Sequence, residues 1–296
     1  MVAGCCSELR ERTLMSKVWF ITGAGSGIGA ATVRAALKAG DRAVATGRNL
    51  AKLRRALRDV ANDRLAFVSL DVSDEAQAKT AVQEAVGHFG RIDVLVNNAG
   101  YSMLGNFEEL VTSDIERQFA TNIFGVMHVL RAVLPIMRRQ RTGRVINIGS
   151  LAGVTGFAHC GAYAATKFAV EGLSLSVAQE VEPFGIRITV VEPGAFRTGL
   201  LETGHAKYGL NTIEDYAGTG DVAQAWAALD GRQPGDPAKL GEALVRIANM
   251  ADPPRQFLAG SDALAIVEPV LETRLHELNA HRGLSRSTDR MPDPHP

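Results

Sequence analysis

Short apolar segments alternate with longer segments of helical periodicity along most of the chain. Each apolar segment has the continuous hydrophobic character of a strand that is buried on both faces of a parallel sheet. The predicted strands lie at residues 17–22, 42–46, 65–70, 92–97, 144–148 and 186–191. The predicted helices lie near residues 49–60, 74–89, 112–139 and 161–181, and an alanine-rich helix ends near residue 39.

Strands that alternate with helices in this way form a parallel sheet with helices on both faces. A further helix near residues 236–250, an apolar segment at 256–259 and a last helix near 262–281 complete the pattern. The sequence therefore predicts an α/β fold: a single Rossmann-like catalytic domain over residues 17–281, with a doubly wound parallel sheet of about seven strands.

Three segments depart from this alternation. Residues 200–237 are rich in glycine and have weak periodicity, and they follow the sixth strand, where such sheets place their binding crevice. We interpret them as a mobile substrate lid, with an ordinary surface insertion as the alternative. Residues 1–16 carry charges where a secretory signal needs an apolar core, so they are predicted to be an N-terminal extension, with Met15 as an alternative start. Residues 282–296 are polar and proline-rich and are predicted to be a disordered tail.

Composition excludes several classes of function. Hydrophobic residues make up 46% of the 296-residue chain, which is typical of globular proteins, and 32 basic residues balance 32 acidic ones. This balance gives no electrostatic reason to expect a nucleic acid or an anionic membrane surface as a partner. The uncharged residues 145–166 contain four glycines, so no membrane span is expected. Three cysteines are too few for a disulfide framework or a four-thiolate zinc site, and we expect a cytoplasmic protein without a metal site.

A glycine-rich motif, Thr-Gly-Ala-Gly-Ser-Gly-Ile-Gly at residues 22–29, lies between the first strand and the first helix. Glycines in this position let backbone N–H groups approach a diphosphate, and the helix N-terminus favours negative charge. A simple tight turn is the alternative. The candidate cofactor-binding residues here are Gly23, Ser26, Gly27, Ile28 and Gly29.

The end of the second strand indicates which nicotinamide cofactor is used. An acidic side chain at this point binds the adenosine ribose hydroxyls and favours NAD(H). This chain has Gly47 and Arg48 there instead, and a guanidinium can pair with a 2′-phosphate. The sequence thus favours NADP(H) over NAD(H), although Arg48 as a solvated charge is the alternative.

Ser150, Tyr163 and Lys167 form a candidate catalytic group. Residues four apart on a helix share a face, so Tyr163 and Lys167 can face one cleft, and Ser150 follows a predicted strand at its carboxyl end. Tyrosine has an ordinary pKa near 10, and a nearby positive charge favours its phenolate. Proton transfer to or from an alcohol oxygen then becomes feasible. Because this spacing is common, a surface helix pair is the alternative.

These motifs occur in the order found in the short-chain dehydrogenase/reductases, which the sequence resembles over residues 17–281. The matching positions are Thr22-Gly23 with Gly27 and Gly29, Asp71-Val72, Asn97-Asn98-Ala99-Gly100, Asn122, Ser150, Tyr163 with Lys167, and Pro193-Gly194 with Thr198. The resemblance implies that Tyr163 donates or accepts the proton and that Ser150 hydrogen-bonds the substrate oxygen. It also implies that Lys167 binds the nicotinamide ribose and lowers the tyrosine pKa, while the backbone at Asn122 holds a proton-relay water.

The same resemblance implies further cofactor contacts and an assembly. Asp71 is expected to bind the adenine amine beside Val72, and Asn98, with Ala99 and Gly100, is expected beside the adenosine ribose. Thr198, which follows Pro193 and Gly194, is expected to meet the nicotinamide carboxamide. Members of the family often pair through their two long helices, here residues 112–139 and 161–181, so a homodimer or homotetramer is expected.

The expected function is an NADP(H)-dependent oxidoreductase that interconverts a ketone and a secondary alcohol. Apolar residues near the predicted cleft favour an apolar substrate with room for bulk: Tyr101, Met103, Leu104, Val154, Phe157, Phe196, Leu200, Leu201 and Tyr208. Within the family, the chain resembles bacterial oxidoreductases similar to 17β-hydroxysteroid dehydrogenases. The alternatives are a 3-oxoacyl carrier-protein reductase and, in another class, a non-catalytic NADP(H)-binding sensor.

Overall fold

A computed structural model describes residues 16–198, 207–209, 213–219, 222–228 and 230–290. Within them, a seven-stranded sheet has the order β3-β2-β1-β4-β6-β7-β9, and all of its strands are parallel. Its strands are β1 (Val18–Ile21), β2 (Arg42–Gly47), β3 (Leu65–Ser69), β4 (Val94–Asn97), β6 (Gly143–Ile148), β7 (Ile186–Pro193) and β9 (Gln256–Ala259). The predicted fold class is confirmed.

The helices follow the strands as the periodicity predicts. They are α1 (Gly27–Lys38), α2 (Leu50–Ala56), α3 (Glu75–Phe89), α4 (Thr112–Phe119), α5 (Gly125–Gln140), α6 (Gly161–Val181), α7 (Val222–Ala227), α8 (Pro237–Asn249), α9 (Ser261–Ala280) and α10 (Arg282–Arg286). A π-helical turn, Ala120–Phe124, joins α4 to α5, so residues 112–140 form one long interrupted helix.

Two apolar layers enclose the sheet. In β1, Phe20 packs into the layer formed with α3, α5 and α6, while Trp19 and Ile21 pack into the layer formed with α1 and α8. All three side chains have no exposed surface, and complete burial of a side chain of this size contributes about 1.5–3 kcal/mol. A continuous apolar strand is required because both of its faces are covered.

The long helix over residues 112–140 has the length and apolar composition of a membrane span. By length and composition alone, Thr112–Gln140 is able to cross a membrane. In the fold, however, Val129, Val133 and Met137 on this helix are completely buried in the core beside the sheet. Its apolar character is that of a helix with one face in a protein core.

Three features differ from the sequence expectation. A two-residue parallel ladder joins β5 (Met103–Leu104) to β8 (Lys207–Tyr208), and segments this short carry no periodicity. The π-helical turn interrupts the predicted helix. The segment predicted as a disordered tail begins with the helix α10, although all of its described residues, up to 290, are exposed. The predicted extension over residues 1–16 lies outside the described residues except for Ser16.

Candidate active site

A cleft of about 860 Å³ opens at the carboxyl ends of the central strands. The chain enters it directly after β1, β4, β6 and β7, at the point where the strand order reverses between β1 and β4. All but two of the predicted site residues line this cleft: Gly23, Ser26, Gly27, Ile28, Arg48, Asp71, Val72, Asn98, Ala99, Gly100, Ser150, Tyr163, Lys167, Pro193, Gly194 and Thr198. The other two, Gly29 and Asn122, lie behind its wall.

The glycine-rich loop approaches its neighbours too closely for side chains. Gly23 and Gly27 have φ of +64° and +52°, in the left-handed region that favours glycine. A Cβ atom on Gly23 would lie 2.8 Å from Ala99 Cα, and one on Gly27 would lie 2.9 Å from Thr198 Cβ. A Cβ atom on Gly29 would lie 2.5 Å from the Gly23 carbonyl oxygen. Gly29 therefore permits close packing of α1 on the loop, while the earlier glycines shape the cleft wall.

The start of α1 suits a phosphate group. Ser26 caps the helix in an extended conformation, its side chain makes no capping hydrogen bond, and the first turn contains no acidic residue. The first N–H groups of a helix have no partner within the helix, and the helix dipole makes this end attractive to anions. The loop and helix start therefore fit the diphosphate of a dinucleotide.

Arg48 follows the second strand and lies exposed at the cleft wall, as the sequence predicts. Burial raises the pKa of Tyr101, and the charges of Arg117 and Arg48 oppose that rise, so Arg48 acts on this side of the cleft. No ion pair links Arg48 to a carboxylate within the described part of the chain. Its guanidinium is therefore available to a phosphate.

The side chains of Asp71 and Asn98 both make hydrogen bonds within the protein, but with different partners. The Asp71 Oδ1 atom accepts hydrogen bonds from the Ser73 backbone N–H at 3.0 Å and the Ser73 hydroxyl at 2.7 Å. The Asn98 side-chain amide donates to the carbonyl oxygens of Thr22 at 2.9 Å and Gly23 at 3.1 Å. Asn98 therefore holds the glycine-rich loop in place, a role that the sequence did not reveal.

Tyr163 and Lys167 lie one turn apart on α6, and both line the cleft together with Ser150. The Lys167 ammonium donates a 2.8 Å hydrogen bond to the Ile148 carbonyl and lies 5.6 Å from the centre of the Tyr163 ring. The hydroxyl of Ser150 is hydrogen-bonded to that of Tyr163. The structure thus brings all three predicted catalytic side chains together.

Burial is the main cause that shifts the pKa values of Tyr163 and Lys167. It raises the pKa of Tyr163 to about 12, against the smaller opposing effect of the Ser150 hydrogen bond. It also lowers the pKa of Lys167 to about 8. Lys167 is not among the groups that shift the pKa of Tyr163 here, so the expected lowering of the tyrosine pKa by Lys167 stays a prediction. Tyr163 is a protonated hydroxyl at neutral pH, which suits a proton donor.

Asn122 is buried within the π-helical turn and does not reach the cleft. Its side chain donates to the Tyr101 carbonyl at 2.9 Å and to the Thr166 hydroxyl at 3.2 Å, and it accepts from the Tyr101 backbone N–H at 3.1 Å. Asn122 thereby ties the long helix to α6 and to the loop after β4. π-helical turns often occur at functional sites, and the sequence pattern gave no sign of this one.

The substrate end of the cleft is mainly apolar. Of the side chains expected there, Tyr101, Leu104, Phe157 and Phe196 line it, whereas Met103, Val154 and Tyr208 do not. Leu200 and Leu201 lie outside the described residues. Sequence reasoning missed Leu151, Trp226 and Ile266. Of these three, Trp226 could have been predicted from the sequence, because a tryptophan within a glycine-rich segment beside a crevice is a strong sign of apolar contact.

The described parts of the predicted lid are hydrogen-bonded to the body of the protein. The Gly209 N–H donates to the Leu104 carbonyl at 3.0 Å, and the Ile213 N–H donates to the Glu109 carboxylate at 3.0 Å. Near the base of the segment, the Arg197 N–H donates to the Gly235 carbonyl at 3.0 Å. These contacts tie the described parts of the segment to the body of the protein, and its role as a lid and its response to ligands stay predictions.

Three other reactive side chains have ordinary surroundings. Burial raises the pKa of the Cys160 thiol to about 11, so this cleft residue is not an activated thiolate. The His128 ring lies 3.1 Å from the Val72 carbonyl oxygen, and the His159 ring lies 2.9 Å from the Asn106 side-chain oxygen. Both imidazoles are satisfied as structural groups.

Several known proteins are similar to this chain. Residues 17–208 match the family model of the short chain dehydrogenases. A protein named oxidoreductase BOA17 from Botryotinia fuckeliana is 38% identical over 251 residues, which are 84% of this chain and 91% of the relative. A protein named 3-ketodihydrosphingosine reductase from Bacteroides thetaiotaomicron is 36% identical over 251 residues, 83% of this chain and 89% of the relative.

Solved structures show the same likeness. A short-chain dehydrogenase from Streptomyces avermitilis has a TM-score of 0.84 and 38% identity, and the match covers 93% of this chain and all of that one. A structure described as ElxO with NADP bound has a TM-score of 0.69 and 29% identity, over 83% of this chain and 97% of the other.

Proposed function

Because the chain belongs to the short-chain dehydrogenase family and is therefore an NAD(P)-dependent oxidoreductase, we propose that it interconverts a ketone and a secondary alcohol with NADP(H). The observation that carries the proposal is the single cleft that holds Ser150, Tyr163 and Lys167 together with the glycine-rich loop and Arg48. One part of this cleft suits proton transfer, and another suits a phosphorylated dinucleotide.

The residues present fit the cofactor. The loop from Gly23 to Gly27 and the start of α1 would hold the diphosphate, and Asp71 would reach the adenine with the carboxylate oxygen that Ser73 leaves unused. Arg48 would pair with the 2′-phosphate that distinguishes NADP(H) from NAD(H). Thr198, packed against Gly27, would meet the nicotinamide carboxamide. When bound, the cofactor supplies or accepts a hydride.

The protein's own part in the reaction is to position the substrate oxygen and to move one proton. In reduction, the Tyr163 hydroxyl donates its proton to the oxygen of the former carbonyl, and in oxidation the phenolate accepts it back. Ser150 orients that oxygen through a second hydrogen bond. Lys167, held by the Ile148 carbonyl, stabilises the phenolate and would bind the nicotinamide ribose. Asn122 keeps the neighbouring backbone in place, and the π-helical turn is where a relay water would bind.

The substrate end of the cleft fits an apolar ketone best and has room for a bulky one. Leu104, Leu151, Phe157, Phe196 and Trp226 supply apolar surface there. The Bacteroides relative carries the name of a reductase for a ketone with a long apolar chain, which supports this class of substrate. The intact set of Ser150, Tyr163 and Lys167 argues against a non-catalytic sensor.

The exposed faces of the two long helices support a proposal about assembly. Phe124 on the π-helical turn and Phe168 on α6 are 50% and 39% exposed, so the two long helices present apolar side chains that a second copy would cover. We propose pairing through these helices and a cytoplasmic location.

A ketone panel with purified protein tests the proposal. We expect loss of NADPH absorbance with apolar ketones, a slower reaction with NADH, and little reaction with 3-oxoacyl groups on a carrier protein. Tyr163→Phe is the matched control for turnover. Tight NADPH binding without turnover of any ketone would favour a sensor, and preference for the carrier-bound substrate would favour the carrier-protein reductase.

A further inference from the structure

Three segments of the chain meet at the substrate end of the cleft. The loop after β4 supplies Leu104, the loop before α6 supplies Phe157, and α7 supplies Trp226 to the wall. These three residues all lie outside the strands of the seven-stranded sheet. The width of the cleft at this end therefore depends on contacts that hold the segments relative to one another.

A chain of polar side chains provides such contacts. The His159 ring nitrogen Nδ1 lies 2.9 Å from the Asn106 side-chain oxygen. The Asn106 side-chain amide donates to Glu109 Oε2 at 2.9 Å, and Glu109 Oε1 accepts from the Ile213 backbone N–H at 3.0 Å. We call His159, Asn106 and Glu109 the polar relay. It runs from the loop before α6, through the loop after β4, to the segment that precedes α7 in the chain.

The carboxylate of Glu109 fixes the direction of each hydrogen bond in the polar relay. An ionised carboxylate only accepts hydrogen bonds, so Asn106 presents its nitrogen to Glu109 and its oxygen to His159. The imidazole ring then donates from Nδ1. At the other end, the backbone N–H of Ile213 is a donor whose role cannot reverse. Each donor thus faces an acceptor, and a change at one position alters what the next position requires.

The backbone of His159 is held in an uncommon conformation. Its φ of +63° lies in the left-handed region, which residues with a side chain seldom adopt. In this conformation the His159 carbonyl oxygen accepts from the Gly105 N–H at 2.9 Å, while its ring reaches Asn106. His159 therefore makes two contacts with the loop after β4. Backbone strain of this kind persists only where surrounding contacts hold it, and it is concentrated at functional sites.

We propose that the polar relay is a positioning device that determines how bulky a ketone the cleft accepts. It holds Leu104, Phe157 and the segment that leads to Trp226 at fixed separations, so an apolar ketone meets a preformed wall. None of its three residues lines the cleft, and it touches no reacting atom. Loss of the polar relay is therefore expected to weaken ketone binding more than it slows proton transfer. This consequence for substrate choice rests on the proposed function, whereas the tie between the segments does not.

Asn106→Asp reverses one contact of the polar relay, because it places a second carboxylate against Glu109. Near pH 8.5, with NADP⁺ and a ketone added as a pair that cannot react, we expect the amide hydrogen of Ile213 to exchange at least about tenfold faster. In steady-state assays with NADPH, KM for bulky apolar ketones is expected to rise by a similar factor. We expect kcat, NADPH binding and KM for small ketones to change little.

Adding Glu109→Gln to Asn106→Asp tests the polar relay by rescue. The amide introduced at position 109 donates to the carboxylate introduced at position 106, and its oxygen still accepts from the Ile213 N–H. The double variant is therefore expected to restore slow exchange and low KM, which a general folding defect cannot do.

Two single variants are matched controls at exposed positions. Asn62→Asp adds the same charge and keeps an oxygen that accepts from the Arg64 N–H. Glu108→Gln removes a charge beside Tyr216, whose hydroxyl can donate or accept. Neither control is expected to change the exchange of Ile213 or KM.

The outcomes separate the polar relay from the proposed function. Unchanged exchange of Ile213 in Asn106→Asp, or a double variant that restores neither property, would overturn the tie between the segments. Faster exchange with an unchanged KM for bulky ketones would refute the role in substrate choice. If the unmodified protein reduces no ketone, the proposed function fails, and the exchange of Ile213 still decides whether the polar relay holds this segment.

Discussion

The buried carboxyl pair Glu171 and Glu192 makes the stability of the protein depend on pH in a direction that can be worked out. Glu192 lies on β7, is 2% exposed, and hydrogen-bonds Glu171 on α6. Gln256 donates to Glu171 Oε1 at 2.7 Å, whereas Glu171 Oε2 and Glu192 Oε1 are buried without a donor. Two carboxylates in this position need a shared proton. Burial, and then the charge of Glu171, raise the pKa of Glu192 to about 7.

The sign follows from comparing the two states. The pKa of Glu192 is about 7 in the folded protein and near the ordinary 4.5 in the unfolded chain, so the folded state binds more protons between these values. Its stability therefore falls as pH rises from about 4.5 to 7. A pKa difference of one corresponds to about 1.36 kcal/mol, so the loss in the free energy of unfolding is limited to about 3 kcal/mol. Glu192→Gln supplies a permanent donor to Glu171 and removes this loss.

Urea unfolding at fixed protein concentration measures the effect. We expect Glu192→Gln to be more stable than the unmodified protein by up to about 3 kcal/mol near pH 8.5, and nearly equal to it near pH 5. Glu180→Gln, at an exposed position on the same helix as Glu171, is the matched control and should show no such difference. A stability difference that does not change with pH, or one that grows towards acid, would refute the shared proton.

Three further predictions concern the site itself. Arg48→Ala should weaken NADPH binding by roughly 10- to 150-fold, about 1.5–3 kcal/mol, and leave NADH binding unchanged, as measured by fluorescence titration with the exposed Arg55→Ala as control. Equal loss for both cofactors would contradict pairing with the 2′-phosphate. Tyr163→Phe should lower turnover by about 10²- to 10⁴-fold while NADPH still binds, and near-normal single-turnover rates would show that another group moves the proton. Residues 200–237 should exchange amide hydrogens quickly without ligand and slowly with cofactor and substrate together. Strong protection that ligands do not alter would make them a fixed insertion.

Sequence reasoning succeeded where one residue type has one physical use. A strand covered on both faces must be continuously apolar, so the central strands could be located from their composition. The left-handed φ of Gly23 and Gly27 is recoverable for the same reason, since a loop between a buried strand and a helix that binds a phosphate requires glycine. Helix geometry placed Tyr163 and Lys167 on one face, and the ordered motifs around them, rather than this common spacing alone, identified them as candidate catalytic residues.

Reasoning from the sequence failed where a role depends on contacts between distant segments. The Asn98 side-chain amide supports the loop that begins at Thr22, and this contact between distant segments has no sign in the sequence, whereas the expected position of Asn98 beside a ribose stays a prediction. The pairing of Glu171 with Glu192 joins a helix to a strand, and the spacing of residues along the sequence does not predict it. The π-helical turn at Asn122 leaves the hydrophobic pattern of the long helix intact, so periodicity does not reveal it. The short ladder of β5 and β8 is likewise too brief to have a pattern.

These supporting contacts explain why the catalytic group is held so firmly although its side chains are costly to bury. Desolvation alone works against both members, since it raises the pKa of Tyr163 and lowers that of Lys167. The hydrogen bond from Lys167 to the Ile148 carbonyl and the contact of Ser150 with Tyr163 fix the two groups in spite of this. Asn122 adds a second brace, because it joins the long helix to the Thr166 hydroxyl, which lies on α6 between Tyr163 and Lys167. Asn122 touches no reacting atom, but it helps to position α6, and proton transfer requires heavy atoms within about 2.6–3.2 Å of each other.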